Sequence, residues 1–285
     1  MPLTPLRAPQ EPSTDLRHRV SVFNLAAGQL AALRDAFAKI KPLRDNRGLE
    51  AWAGIHGWPQ FRCQHTNEQG PARFFLPWHR AYLYLFELEL QKENPAARLC
   101  WWDWPASRTV GIPPPYQDVA VDGQPNPLAS GPLPSNVPNR PAGWGETTRR
   151  EPAAPSGLPD QATVEKVLAI SDYYDFELTL EEQLHDNVHG WVGGDMGIIA
   201  TAAYDPIFWA HHTMVDRLWS VWQSKHASPG PPPDTYSTAL GFGKLTITDV
   251  LDTKRLGYDY AASVQHVAVP AAHAGGDPHP TAGGS

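Results

Sequence analysis

Hydrophobic positions along this chain recur at helical spacing in several stretches, separated by polar and proline-rich gaps. Between Asn24 and Lys41, the residues Leu25, Leu30, Leu33, Phe37 and Ile40 share one face, and Pro42 stands just past the end, which predicts a core helix. A second helical stretch, Leu49 to His56, runs into Gly57-Trp58-Pro59, a breaker that leaves His56 at a helix end. Further on, Pro77 fits the first helical position, after which His79, Tyr82, Leu83, Phe86 and Leu90 fall on one face of a long helix. Thr163 to Ile170 reads as a short helix, and Thr179-Leu180-Glu181-Glu182 reads as a capping box opening the helix that carries His185 and His189. Asp205 as N-cap and Pro206 as first helical residue begin the last long helix, in which Phe208, His212, Val215, Trp219 and Trp222 recur on an apolar stripe. Lys244 to Thr248 reads as a short strand. From roughly residue 105 to 160 periodicity fades into Pro, Gly, Ser and Asn, a long loop region of the kind that borders a site. Residues 1–18 read as an extended arm over the surface, and the last residues as a disordered tail.

What departs from ordinary core patterning is histidine on these apolar stripes. His185 and His189 are four apart, so on a helix their rings lie on one face, one turn apart, and can address a common atom. That atom is most simply a metal, since neutral imidazole suits copper, zinc, iron or nickel, and a third nitrogen from a neighbouring helix would leave one side of the metal open. The helix after Asp205 offers His211 and His212. The two are rotated by about 100° from each other, so one reads as a ligand and the other as a buried neighbour. Of the twelve histidines, His56, His65 and His79 form an N-terminal group of three and His185, His189 and His212 a second. His18, His226, His266, His273 and His279 sit in polar or tail contexts and read as surface residues.

Composition narrows the setting. Thirty prolines and 23 glycines against 19% charged residues describe a compact core wrapped in irregular loops, and eleven tryptophans describe an aromatic interior. A net charge of −7 without long basic runs argues against nucleic acid or anionic membrane as the main partner. No apolar stretch reaches membrane-spanning length and the start has no apolar signal-peptide core, so the expected location is cytoplasmic. Cys63 and Cys100 are too few for a disulfide scaffold.

At this point the motifs resemble a known family. Phe75-Leu76-Pro77-Trp78-His79-Arg80 with Tyr82 and Glu87, then His185-x-x-x-His189 with Gly193-Gly194-Asp195-Met196, and Asp205-Pro206-Ile207-Phe208-Trp209-x-His211-His212-x-x-Val215-Asp216-Arg217-Leu218-Trp219 are similar to the copper-A and copper-B signatures of tyrosinases and other polyphenol oxidases. Gly54-Ile55-His56-Gly57, Trp102-Asp103-Trp104 and Tyr258-Asp259-Tyr260 fit the same pattern. The resemblance implies a mainly α domain over residues 19–262, with a four-helix bundle holding a dicopper centre among long irregular loops; residues 263–285, beyond it, are the tail read as disordered. It implies two copper ions with dioxygen bound between them, copper A on His56, His65 and His79 and copper B on His185, His189 and His212, the second of the adjacent pair. Cys63-x-His65 matches the thioether-linked Cys-x-His of fungal-type relatives. The spacing from His65 to His79 is longer than usual in the family, so extra residues loop out near Asn67–Pro71.

The activity implied is oxidation of o-diphenols to o-quinones together with slow monophenol hydroxylation. Many relatives that accept monophenols hold a water between a glutamate and an asparagine directly after the first copper-B histidine. Here that position is Asp186, and Glu182, with Glu181 and Glu177 as alternatives, is the glutamate; these two carboxylates, Glu182 and Asp186, are the expected catalytic pair. Ile199 aligns with an apolar position near the copper-B entrance and is the expected substrate-pocket residue. Asp205, Asp216 and Arg217 read as a helix cap and ion-pair groups behind the ligands. The implied partners are small phenols, dioxygen and a copper-delivery protein. The rivals are an o-aminophenol oxidase, a haemocyanin-like oxygen carrier, and a zinc hydrolase on the second histidine group. The last leaves His56, His65 and His79 unexplained and has no His-Glu-x-x-His base.

Overall fold

The computed structural model describes residues 16–65, 74–138, 140–226 and 230–261. Helices carry the architecture. α1 (Ala27–Ile40) buries Leu33, Ala36, Phe37 and Ile40, the face its periodicity marks. α2 (Leu49–His56) ends on His56 as expected. α3 (Phe75–Glu93) begins two residues before Pro77, which therefore lies within the first turn, where its missing N–H costs nothing. α1 and α9 (Pro206–Lys225) both pack on α3, with Phe86 stacked on Trp209 at the α3–α9 contact.

The long loop between 94 and 160 contains two one-turn helices, α4 (Trp104–Ser107) and α5 (Pro114–Gln117), and a two-stranded ribbon of β2 (Ala120–Val121) and β3 (Gln124–Pro125). α6 (Gln161–Leu168) follows, capped by the Asp160 side chain on Thr163 N. The helix carrying His185 and His189 differs from the sequence expectation. It starts at α7 (Tyr173–Leu180), with Asp172 as its cap, and runs through a π turn (Glu181–His185) into α8 (Asp186–Val192) without a break. Thr179 is interior and donates its hydroxyl to Asp175 O, so the residues from Thr179 to Glu182 do not form a capping box. Asp172 outcompetes them because Tyr173 and Phe176 already begin a buried stripe one to two turns earlier. Lys244–Thr248 is likewise not a strand: Thr246 opens the short helix α10 (Ile247–Val250), its N–H and hydroxyl both donating to the Asp249 carboxylate, and pairs with Ala239 by a single bridge.

Arg17 and His18, the end of the segment read as an arm, continue into Arg19 as β1 (Arg17–Arg19), which pairs in parallel with β4 (Tyr258–Tyr260). Arg19 is fully buried there, held by Glu87 at 3.0 Å and Asp216 at 3.2 Å, with its guanidinium 3.7 Å over Tyr258. Arg80 shares Asp216 from the other side and lies 3.6 Å over Trp219. Two buried cations thus meet two buried carboxylates, satisfying the requirement that interior charge be paired. This cluster binds α3 to α9 one residue past His79 and one turn past His212. His226, read as a surface residue, is partly buried instead, stacked on Trp222 and bonded to Leu168 O. No helix among the described residues is long and apolar enough to cross a membrane. The arm's first fifteen residues, the loop near Asn67–Pro71 and the tail over 263–285 lie outside the described residues.

Candidate metal centre

Four helical elements aim histidines at one point. His56 ends α2, His79 lies in the second turn of α3, His185 and His189 come from the π turn and α8, and His211 and His212 from the second turn of α9. α9 is fixed by Asp205, whose carboxylate accepts from Ile207 N and pairs with Arg150, a cap and a buried ion pair in one residue. After His56 the chain passes very close to residues 199–200. Trp58 N donates to Ala200 O at 3.0 Å, and a Cβ on Gly57 would lie 2.5 Å from that oxygen, so glycine is needed for this approach. Gly193 and Gly194, both at positive φ, turn the chain after α8 so that Met196 returns beside His189.

The rings converge. His56, His65 and His79 have ring centroids 5.6–6.2 Å apart, and His185, His189 and His212 lie 4.5–5.5 Å apart. The groups abut, with His79 stacked on His212 at 4.5 Å and Phe208 touching both His56 and His212. His212 Nε2 stands 3.3 Å from both His185 Nε2 and His189 Nε2. His211 is buried too, stacked 5.1 Å from His185 and packed against Trp104, with neither ring nitrogen hydrogen-bonded. Ring donors of His185, His189, His211 and His212 fall within 4.8 Å of one another, so adjacent positions on α9 approach each other more closely than a 100° rotation suggests.

Several donors are oriented from behind. Nδ1–H of His79 donates to Phe75 O at 2.8 Å and that of His189 to Met196 O at 2.7 Å. Nδ1–H of His65 meets Glu181 at 2.7 Å, and that of His185 meets Asp186 at 2.9 Å. The Nε2 atoms of His56, His65 and His79 are buried with no partner, a costly arrangement in an apolar interior that a metal ion would satisfy. Burial, reinforced by neighbouring imidazoles, holds His56, His79, His185 and His212 well below the ordinary histidine value, and burial takes His189 down to about 4. These rings are therefore neutral, the form that binds metal. His65 is the exception: burial opposes its charge, but Cys63 and Glu181 outweigh that and push it up to about 10. Chemistry and placement fit a site for metal held by nitrogen donors, and at His65 a metal ion would displace the second ring proton on binding.

A cavity of about 390 Å³ reaches this cluster, lined among others by His56, His65, His189, Glu181, Asp186 and Ile199. Ile199 is 48% exposed and the Asp186 side chain 51%, so solvent reaches the cavity mouth. Glu182, the glutamate favoured from sequence, is exposed and absent from the lining; Glu181, its neighbour, is buried and faces His65. Glu177 is also buried, committed to Leu76 N and Tyr173 OH. Cys63 is a buried free thiol grouped with the donors of His56 and His65. Asp216 is an ion-pair group as expected, whereas Arg217 lies 4.0 Å over Trp101. Phe208 was not singled out from sequence as part of the site; its position four residues before His212 on the same helical face is the signal that marks it.

Comparison with known proteins agrees with this geometry. Residues 46–225 match the family model for the common central domain of tyrosinase. A tyrosinase of Streptomyces glaucescens is 35% identical over 194 residues, 60% of this chain and 69% of that protein. Hemocyanin 1 of Megathura crenulata is 30% identical over 243 residues, 79% of this chain but 7% of that much larger protein. The structure of the Burkholderia thailandensis tyrosinase superposes with a TM-score of 0.69 at 23% identity, covering 90% of this chain and 76% of that one, which is a likeness of fold. With more than half its length in the family model, the chain belongs to the tyrosinase family.

Proposed function

We propose that this chain is a copper-dependent phenol oxidase that uses dioxygen to convert o-diphenols to o-quinones and hydroxylates monophenols more slowly. The observation that carries this reading is the pair of three-histidine groups abutting at the end of one solvent-reached cavity, with unpartnered ring nitrogens turned inward. In this reading His56, His65 and His79 hold one copper and His185, His189 and His212 the other. When bound, the two coppers supply the redox chemistry, carrying electrons from the phenol to dioxygen. In balance, two catechols give four electrons and four protons to one dioxygen, leaving two quinones and two waters.

The chain's own residues bind and orient. Ile199, at the mouth, offers an apolar face to the substrate ring, and Phe208 packs against both His56 and His212 at the back. Asp186 is the accessible carboxylate on the wall and receives the phenol proton; Glu182, out of the cavity, has no such part. A thioether from Cys63 to a ring carbon of His65 would fix that imidazole, and forming it removes two hydrogens, which intact mass reads after copper and oxygen exposure. Ile199 and Asp186 stand exposed at the mouth of the cavity, where an organic substrate would enter.

Oxygen uptake by copper-loaded protein with a simple monophenol, its matching catechol and the matching o-aminophenol tests the proposal. Fast uptake with the catechol and slow uptake with the monophenol are expected; preference for the aminophenol would move the chain to that branch. Asp186→Asn is expected to lower the monophenol rate relative to the catechol rate, and an unchanged ratio would remove Asp186 from the proton step.

A further inference from the structure

The two histidine groups repeat one pattern of support. Each has one imidazole backed by a carboxylate, His65 by Glu181 and His185 by Asp186. Each has one backed by a main-chain carbonyl, His79 by Phe75 O and His189 by Met196 O. In each the third ring, His56 or His212, has no acceptor behind it and is held by aromatic packing, Phe208 touching both. The carboxylates lie close together in sequence. Glu181 opens the π turn that His185 closes, and Asp186 is the next residue, so one short stretch of backbone supports a ring of each group.

We infer that Glu181 and Asp186 are ligand-positioning residues, one for each metal, which set the orientation and donor strength of His65 and His185. The inference rests on the dicopper reading and adds to Asp186 a task separate from the proton step. A carboxylate accepting the Nδ1 proton fixes the tautomer that leaves the Nε2 lone pair for the metal, and its charge makes that nitrogen a stronger donor. A carbonyl fixes the tautomer without adding a full charge, so within each group the carboxylate-backed ring is the strongest donor. Glu181 is 2% exposed and its bond to His65 meets little competition from water, whereas the Asp186 side chain is 51% exposed. The effect is graded accordingly, larger at His65 than at His185.

Zinc(II), which fits the same nitrogen donors and has no redox chemistry, separates this from turnover. It is titrated into metal-free protein against a chromophoric chelator, with cobalt(II) absorption as a second readout of ligand geometry. Wild type is expected to take up two zinc ions. Glu181→Gln is expected to weaken one site by about 100-fold and Asp186→Asn the other by about 10-fold, with Glu181→Asp and Asp186→Glu recovering part of each loss. Asp186 is exposed, so its variants fold as wild type does even if the buried Glu181 variants do not. Unchanged affinity and cobalt spectrum in Asp186→Asn would overturn the inference while leaving the dicopper reading intact. Wild type that takes up no metal would overturn both.

Discussion

At the scale of single residues, the site depends on small steric and hydrogen-bonding choices around well-placed rings. Gly57→Ala illustrates the steric side. The added Cβ would meet the Ala200 and Ile199 carbonyls at 2.5 and 2.6 Å, and neither is a side chain that can rotate away. A loss of about 1–3 kcal/mol is expected from overpacking, read as a lower urea midpoint with an unchanged slope. His56, His79, His185, His189 and His212 were legible in the sequence because each sits at a helix end or on an apolar stripe where histidine has no ordinary reason to be. The carboxylates were less legible. Glu181 and Glu182 are chemically equivalent neighbours, and which one faces His65 depends on helical phase that the π turn shifts, a feature no side-chain pattern announces.

At the scale of elements, α3 and α9 are the frame, and their ends and charges decide whether the histidines meet. Asp205 caps α9 and pairs with Arg150 in the interior. Asp205→Ala removes the cap and leaves that guanidinium without its partner, an expected cost of about 3–5 kcal/mol in chemical unfolding, with weaker metal uptake by the group containing His212. Asp216 supplies a pH signature. Burial works against its charge, but Arg80 and Arg19 outweigh that and hold its carboxyl below the ordinary value. A lowered carboxyl stabilises the fold above its unfolded value and loses that contribution as pH falls through the folded one. Metal-free wild type is therefore expected to lose melting temperature below about pH 4 more steeply than Asp216→Asn, which is less stable throughout but has no proton to gain there. Parallel acid limbs would contradict this. Helices α1, α2, α3, α6 and α9 follow from periodicity, Pro and cap residues. The start of α7 and the pairing of β1 with β4 do not: the first was masked by a plausible second cap, and the second joins residues about 240 apart.

At the scale of the molecule, a buried set of neutral imidazoles with unpartnered nitrogens is a fold waiting for its ligand. Binding to the folded state alone raises stability by mass action, so zinc or copper is expected to raise the melting temperature and a strong chelator to lower it reversibly, by about 4 kcal/mol at a thousandfold excess over Kd. An unaltered melting temperature in saturating metal would mean that the rings do not hold an ion. The most direct test of the central reading, two coppers on two groups of three histidines, is copper content per chain after loading and desalting, in wild type, His79→Gln and His189→Gln. Two coppers are expected in wild type and one in each variant; a wild type that retains a single copper, or variants that retain both, would contradict it.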